Sequence, residues 1–171
     1  MNLADLTARL RLFAADQLSL TALRESFIPA LEADPLDVTR SDAAPWERAP
    51  EDERLYWRLL HLFDTAPDGE EPAMRRLATR LVLAVEHAGS ATTLQLLPLV
   101  LDQDRFCAIV RKHASGIISR TSFLSVIAES GYPEHARLWL RHAGPDALEA
   151  LCASLESADY AGIATMLEKA P

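Results

Sequence analysis

Glycine is scarce in this chain, six in 171 residues, and none is grouped into the glycine-rich turn with which backbone amides cradle a phosphate. That excludes a P-loop or a dinucleotide fingerprint. Cysteine is scarcer still, with Cys107 and Cys152 alone. Two cysteines make neither a disulfide framework nor a zinc ribbon, and no Cys-x-x-Cys or His-Glu-x-x-His spacing occurs. Both sit inside helical patterns among Phe106, Ile109, Leu151 and Leu155. They read as small core residues of a reducing compartment, inert unless a cation intrudes. Long apolar runs are missing as well. The longest, 81–85 and 96–101, fall far short of the roughly 18 residues of a membrane span, and Asp5 interrupts the segment where a signal core would run. The expectation is a cytoplasmic protein with no membrane partner. Lysine is nearly absent: Lys112 and Lys169 are the only ones among 17 basic side chains. With the abundance of Ala and Leu, that bias points to GC-rich bacterial coding and says nothing of function.

What is present is ordinary for a globular chain, 49% apolar and 25% charged residues. A single domain over 1–171 can bury a core of its own without staples. The charge is unevenly placed. Residues 1–73 hold 15 acidic and 7 basic side chains, whereas 74–171 hold 10 of each, so the whole net charge of −8 lies in the first half. No basic stripe exists to release counterions from a nucleic acid. A basic protein partner is favoured instead.

The periodicity is helical throughout and never alternates with period two. Leu3, Leu6, Leu10 and Phe13 mark a first helix ending near Gln17. Ser19 or Thr21 can cap the next, whose Leu20, Leu23, Phe27 and Leu31 share a face, with Pro29 kinking or restarting it. From 34 to 50 the pattern stops for 17 residues with three prolines, longer than most connections in compact domains. Two readings stand for this loop: a strap over the helices pinned by Leu36, Val38 and Trp46, or a partner-binding edge. Pro50 followed by Glu51, Asp52 and Glu53 is a strong helix start. Leu55, Leu59, Leu62 and Phe63 then form a stripe that Tyr56, Trp57 and Leu60 broaden. The most apolar helix spans 74–88. Leu77, Leu81, Ala84, Val85 and Ala88 follow its stripe, Val82 and Leu83 widen it, and it reads as the central packing element of the fold.

Beyond it, His87, His113 and His142 each end a helical pattern with glycine just past them, Gly89, Gly116 and Gly144, at intervals of 27 and 28 residues. Each interval reads as two short helices: Leu94, Leu97 and Leu101, then Phe106, Ile109 and Val110; Phe123, Val126 and Ile127, then His135, Leu138, Trp139 and His142; Leu148, Leu151 and Leu155, then Tyr160, Ile163 and Leu167. Stacked helical hairpins of α-solenoid type would bury such stripes. Generic helix-ending preferences in an irregular bundle would produce the same endings. Both architectures are all-α, a multi-helix fold of about ten short helices, with acidic N-terminal elements over 1–73, a central helix over 74–89 and the three intervals over 90–171.

No constellation points to chemistry. The helix-end histidines are explained by the negative helix pole, and Asp102 and Asp104 lack the glycine and distal glutamate of a calcium loop. They read as a helix N-terminus. Glu70 and Glu71 also fall at a helix start. Arg75, Arg76 and Arg80 form the one basic cluster near the centre, either a surface ion-pair network with Glu70 and Glu71 or a phosphate site. The expectation is therefore no catalytic residue, no metal and no cofactor. The leading function is non-enzymatic protein interaction, with Asp34, Asp37, Asp42, Trp46, Glu47, Glu51, Asp52 and Glu53 facing a basic partner, in the specific version a neutralising protein of antitoxin or immunity kind. The rival is a helical enzyme or small-ligand sensor with a pocket between helices lined by Trp57, Trp139 and the histidines.

Overall fold

The computed structural model describes residues 3–29, 53–87 and 90–169. Among them are ten α-helices, one short 3₁₀ turn and no strand. The chain is an all-α, multi-helix protein, and no described helix is long and apolar enough to cross a membrane. Two compact units divide it, Met1–Val82 and Leu83–Pro171.

The first unit begins with α1 (Leu3–Ala14), which buries Leu6, Leu10 and Phe13 as their spacing requires. The chain reverses through Asp16, in the left-handed region at φ 59°, and α2 (Leu20–Glu25) starts where the Ser19 hydroxyl accepts from the Ala22 amide at 3.1 Å. Leu20, Leu23 and Phe27 are buried. Ile28 and Pro29, the last described residues of this stretch, again have helical backbone. In α3 (Arg54–Thr65) the buried set is Tyr56, Trp57, Leu59, Leu60 and Phe63. Leu55 and Leu62 are only half-buried, so the face is rotated from the expected stripe towards the aromatics, which have more apolar surface to remove from water. The Phe63 ring meets Phe13 edge-on at 6.2 Å, joining α3 to α1.

A 3₁₀ turn (Asp68–Glu70) leads into α4 (Glu71–His87). This is the longest described helix, but its buried residues are Ala78, Leu81, Val82 and Ala84. Leu77, Leu83 and Val85 are half-buried. The expected central stripe therefore holds at Leu81 and Ala84 and gives way at Leu77 and Val85, with Ala78 fully buried beside it.

The second unit continues with α5 (Ser90–Leu101), α6 (Gln103–Ala114), α7 (Arg120–Glu129), α8 (Glu134–His142), α9 (Pro145–Glu156) and α10 (Tyr160–Glu168). Each of the three intervals does contain two helices. Their packing, however, is not that of a linear stack, in which a repeat touches only its neighbours. The most extensive helix pairings are α6 with α9 and α5 with α10, so the first pair of helices lies directly on the third. The glycine endings are not equivalent either: Gly116 is left-handed at φ 74°, while Gly144 is extended and serves as N-cap of α9. In α8 the expected face is the outer one. Ala136 and Leu140 are buried, while His135, Leu138 and His142 are exposed, because α8 contacts α7, α5 and α10 through its alanine side. Further along, α9 buries Leu148, Leu151 and Leu155, and α10 buries Tyr160, Ile163 and Leu167, as their spacing predicts.

One local motif does recur, once in each unit. The α1–α2 and α6–α7 hairpins have the same connection: a left-handed residue (Asp16, Gly116), then an N-cap serine (Ser19, Ser119) whose hydroxyl accepts from the amide three residues on at 3.1 Å. In each hairpin an arginine of the second helix grips the end of the next described helix. Arg24 donates to the carbonyls of Phe63 (3.4 Å) and Ala66 at the end of α3. Arg120 donates to those of Arg141 (2.8 Å) and Ala143 (3.0 Å) at the end of α8. A cation placed on the unpaired carbonyls meets both the hydrogen-bond requirement and the negative pole of a helix end.

Candidate functional site

Of the residues expected to meet a partner, Asp34, Asp37, Asp42, Trp46, Glu47, Glu51 and Asp52 lie outside the described residues. Glu53 is described. It is exposed and occupies the N-cap of α3, where its side chain makes no cap bond to backbone and instead accepts from the Trp57 indole N–H at 3.3 Å. Trp57 itself is buried against Tyr56, ring centres 5.2 Å apart, with His61 at 6.2 Å. Trp139 is half-buried on α8.

A groove of about 450 Å³ lies in the first unit, lined by Ala14, Glu71, Pro72, Arg75, Arg76 and Thr79. Its charged floor is the basic cluster seen in the sequence, and the structure gives that cluster an internal task. Arg75 donates to the Phe13 carbonyl near the end of α1, pairs with Asp16 at 3.1 Å and with Glu71 one turn back, and lies over the Phe13 ring at 4.5 Å. Glu71 in turn accepts from the Leu20 amide, at the start of α2, at 3.4 Å. One ion pair on α4 therefore serves both open ends of the α1–α2 hairpin, the cation on the carbonyl end and the anion on the amide end. The geometry favours the ion-pair network over the phosphate site, since a phosphate at Arg75 would have to displace three partners. Pro72, Arg76 and Thr79 are the exposed members of the groove wall.

His87, His113 and His142 fall in the last turns of their helices, whereas His61 lies within α3 and His135 in the first turn of α8. His113 places Nδ1 3.3 Å from the Ile118 carbonyl and stacks on Phe123 at 5.0 Å, with Arg120 on the same ring at 5.3 Å. His135 places Nε2 2.8 Å from the Leu167 carbonyl. Among the described residues no three His, Cys, Asp or Glu side chains converge as a metal set. Asp102 is the N-cap of α6 and Asp104 lies in its first turn, the positions the sequence assigns them.

The sequence pattern missed one cluster. Cys107 and Cys152 are both free and buried on the packed helices α6 and α9, and a hydrogen bond between the two thiols is the leading cause of the protonation shift at each. One turn further along the same helices Arg111 pairs with Glu156. That thiol hydrogen bond, with Arg111 helping, holds Cys107 below the ordinary thiol range despite burial and Glu156, which push the other way. The same bond, burial and the neighbouring Cys107 drive Cys152 upward. Both thiols are core residues, as their spacing predicts, with Arg111 and the opposing Glu156 beside them. The available signal was the shared spacing: Phe106-Cys107-Ala108 and Leu151-Cys152-Ala153 stand 45 residues apart, as do Arg111 and Glu156.

Comparison with known proteins gives no match, whether to family models, to curated proteins or to solved structures. The class these observations define is an all-α protein of two helical units, with Arg75 at the described groove engaged internally.

Proposed function

We propose that this chain is a non-enzymatic protein-interaction module whose acidic N-terminal half meets a basic partner protein. The observation that carries the reading is the charge asymmetry, −8 over residues 1–73 and zero over the rest. Arg24, one of the seven basic side chains of that half, is directed onto the α3 carbonyls and Asp68. Within 34–53 seven carboxylates are opposed by Arg40 and Arg48 alone, with Trp46 among them as the type of side chain that anchors interfaces. The specific version is a neutralising protein of antitoxin or immunity kind, which occludes a basic active site after electrostatic steering.

The test uses the full chain and a variant with Asp34, Asp37 and Asp42 changed to Asn, compared by circular dichroism and by capture from lysate of the source organism. Equal helicity with weaker capture of one basic protein is the expected result, and its association rate should fall as salt rises while dissociation changes less. Trp46→Ala should act mainly on dissociation. Capture unaltered by the triple change, at unaltered helicity, removes this surface as the interface.

A further inference from the structure

We propose that Cys107 and Cys152 form a reversible intramolecular disulfide that pins α6 to α9 when the protein meets a peroxide. The argument starts from register. Arg111 pairs with Glu156 across α6 and α9, and one helical turn back on each helix Cys107 and Cys152 stand at the same separation of 45 residues; each thiol is the leading influence on the other, as a parallel pairing of α6 and α9 requires. The buried residues obey the same register: Gln103, Phe106, Cys107 and Val110 on α6 match Leu148, Leu151, Cys152 and Leu155 on α9. This is the most extensive helix pairing in the unit. Each thiol therefore has the other as its standing neighbour, held there by packing above and below.

Burial then decides what oxidation can produce. Cys107 is 1% exposed and Cys152 5%, which bars a second protein molecule or a bulky disulfide from either sulfur, whereas a peroxide is small enough to enter on a local opening of the helix pair. Nothing else in the described residues uses these thiols. Placement also assigns the roles: Arg111 stands one turn along α6 from Cys107 and Glu156 one turn along α9 from Cys152, so the anion is favoured at Cys107 and the proton at Cys152, the directions in which the two thiols shift. The Cys107 thiolate attacks one oxygen of the peroxide, the O–O bond breaks, and the departing hydroxide takes up a proton as water. Cys107 is left as a sulfenic acid. The Cys152 sulfur then attacks the Cys107 sulfur, the S–O bond breaks as the S–S bond forms, and the second hydroxide leaves with the Cys152 proton as water. Two thiols have supplied two electrons and one peroxide has become two waters. A dithiol reductant reverses the step by exchange.

The experiment treats the reduced full-length chain with hydrogen peroxide under native conditions, blocks remaining thiols with acid and N-ethylmaleimide, and reads intact mass and a non-reducing peptide map. Expected are a monomer that has lost two hydrogens, a peptide linking Cys107 to Cys152, full reversal by dithiothreitol and a higher melting temperature in the oxidised form. In Cys152→Ser, Cys107 should accumulate as sulfenic and then sulfinic acid; in Cys107→Ser, Cys152 should stay reduced far longer. A native chain that keeps both thiols, a linkage that forms only after denaturation, or separate over-oxidation of the two sulfurs without a link overturns the proposal. The wild-type mass measurement decides it even where a serine variant fails to fold.

Discussion

Arg75 donates to the carbonyl of Phe13 and lays its guanidinium over the ring of that same residue, 4.5 Å from its centre. The contact joins residues 62 apart in sequence and holds the end of α1 against α4. Because the cation also meets Asp16 and Glu71, and Glu71 meets the Leu20 amide, the α1–α2 turn is fixed from both its ends by one helical turn of α4.

Arg75→Met keeps the aliphatic bulk and removes the charge. It should destabilise the protein by about 1.5 to 3 kcal/mol, the range for a hydrogen bond to a charged group. Arg76→Met, at an exposed position on the same groove, should stay within about 0.5 kcal/mol. Urea titrations of both variants against wild type check the pair, and equal effects would show that the groove does not distinguish them.

Ala158 stands in the left-handed region at φ 58° between α9 and α10, and it is exposed. An L side chain costs roughly 1 to 2 kcal/mol there, part of which glycine returns as flexibility of the unfolded chain. Ala158→Gly should therefore raise stability by about 0.5 to 1 kcal/mol. Gly116→Ala, at φ 74° with nothing within 4 Å of the added methyl, should lower it by about 1 kcal/mol through backbone strain alone. Thermal melts that reverse the two signs would refute the assignment of these turns.

Leu81 is 2% exposed on α4. Its replacement by Ala should cost about 2 to 5 kcal/mol. Val85, half-buried on the same helix, should cost markedly less on the same change. Denaturant titration of the two variants ranks the positions, and a Leu81 loss below about 0.5 kcal/mol, the surface scale, would take α4 out of the core.

Helical class, the approximate number of helices and several of their ends were legible in the chain itself. Those are local properties: the 3.6-residue spacing of Leu6, Leu10 and Phe13, the serine at position 19, the Asp102 and Asp104 start of α6. Each acts within a few residues of its own helix, so composition and spacing carry them. The packing partners were not legible. Periodicity says that a helix has an apolar face and is silent on which helix covers it, so the 27-residue spacing suggested neighbours in a stack whereas α6 lies on α9 and α5 on α10. The same limit hid the Arg24 grip on Ala66, 42 residues away, and the Arg111–Glu156 pair, 45 residues apart. It also turned the α8 face outward, since His135, Leu138 and Trp139 share a helical stripe as well as Ala136 and Leu140 do, and only the closeness of α7, α5 and α10 selects the small-residue side. The placing of Cys107 beside Cys152 belongs to that second kind of fact: two thiols that each look like ordinary core residues along the chain become neighbours because α6 packs on α9.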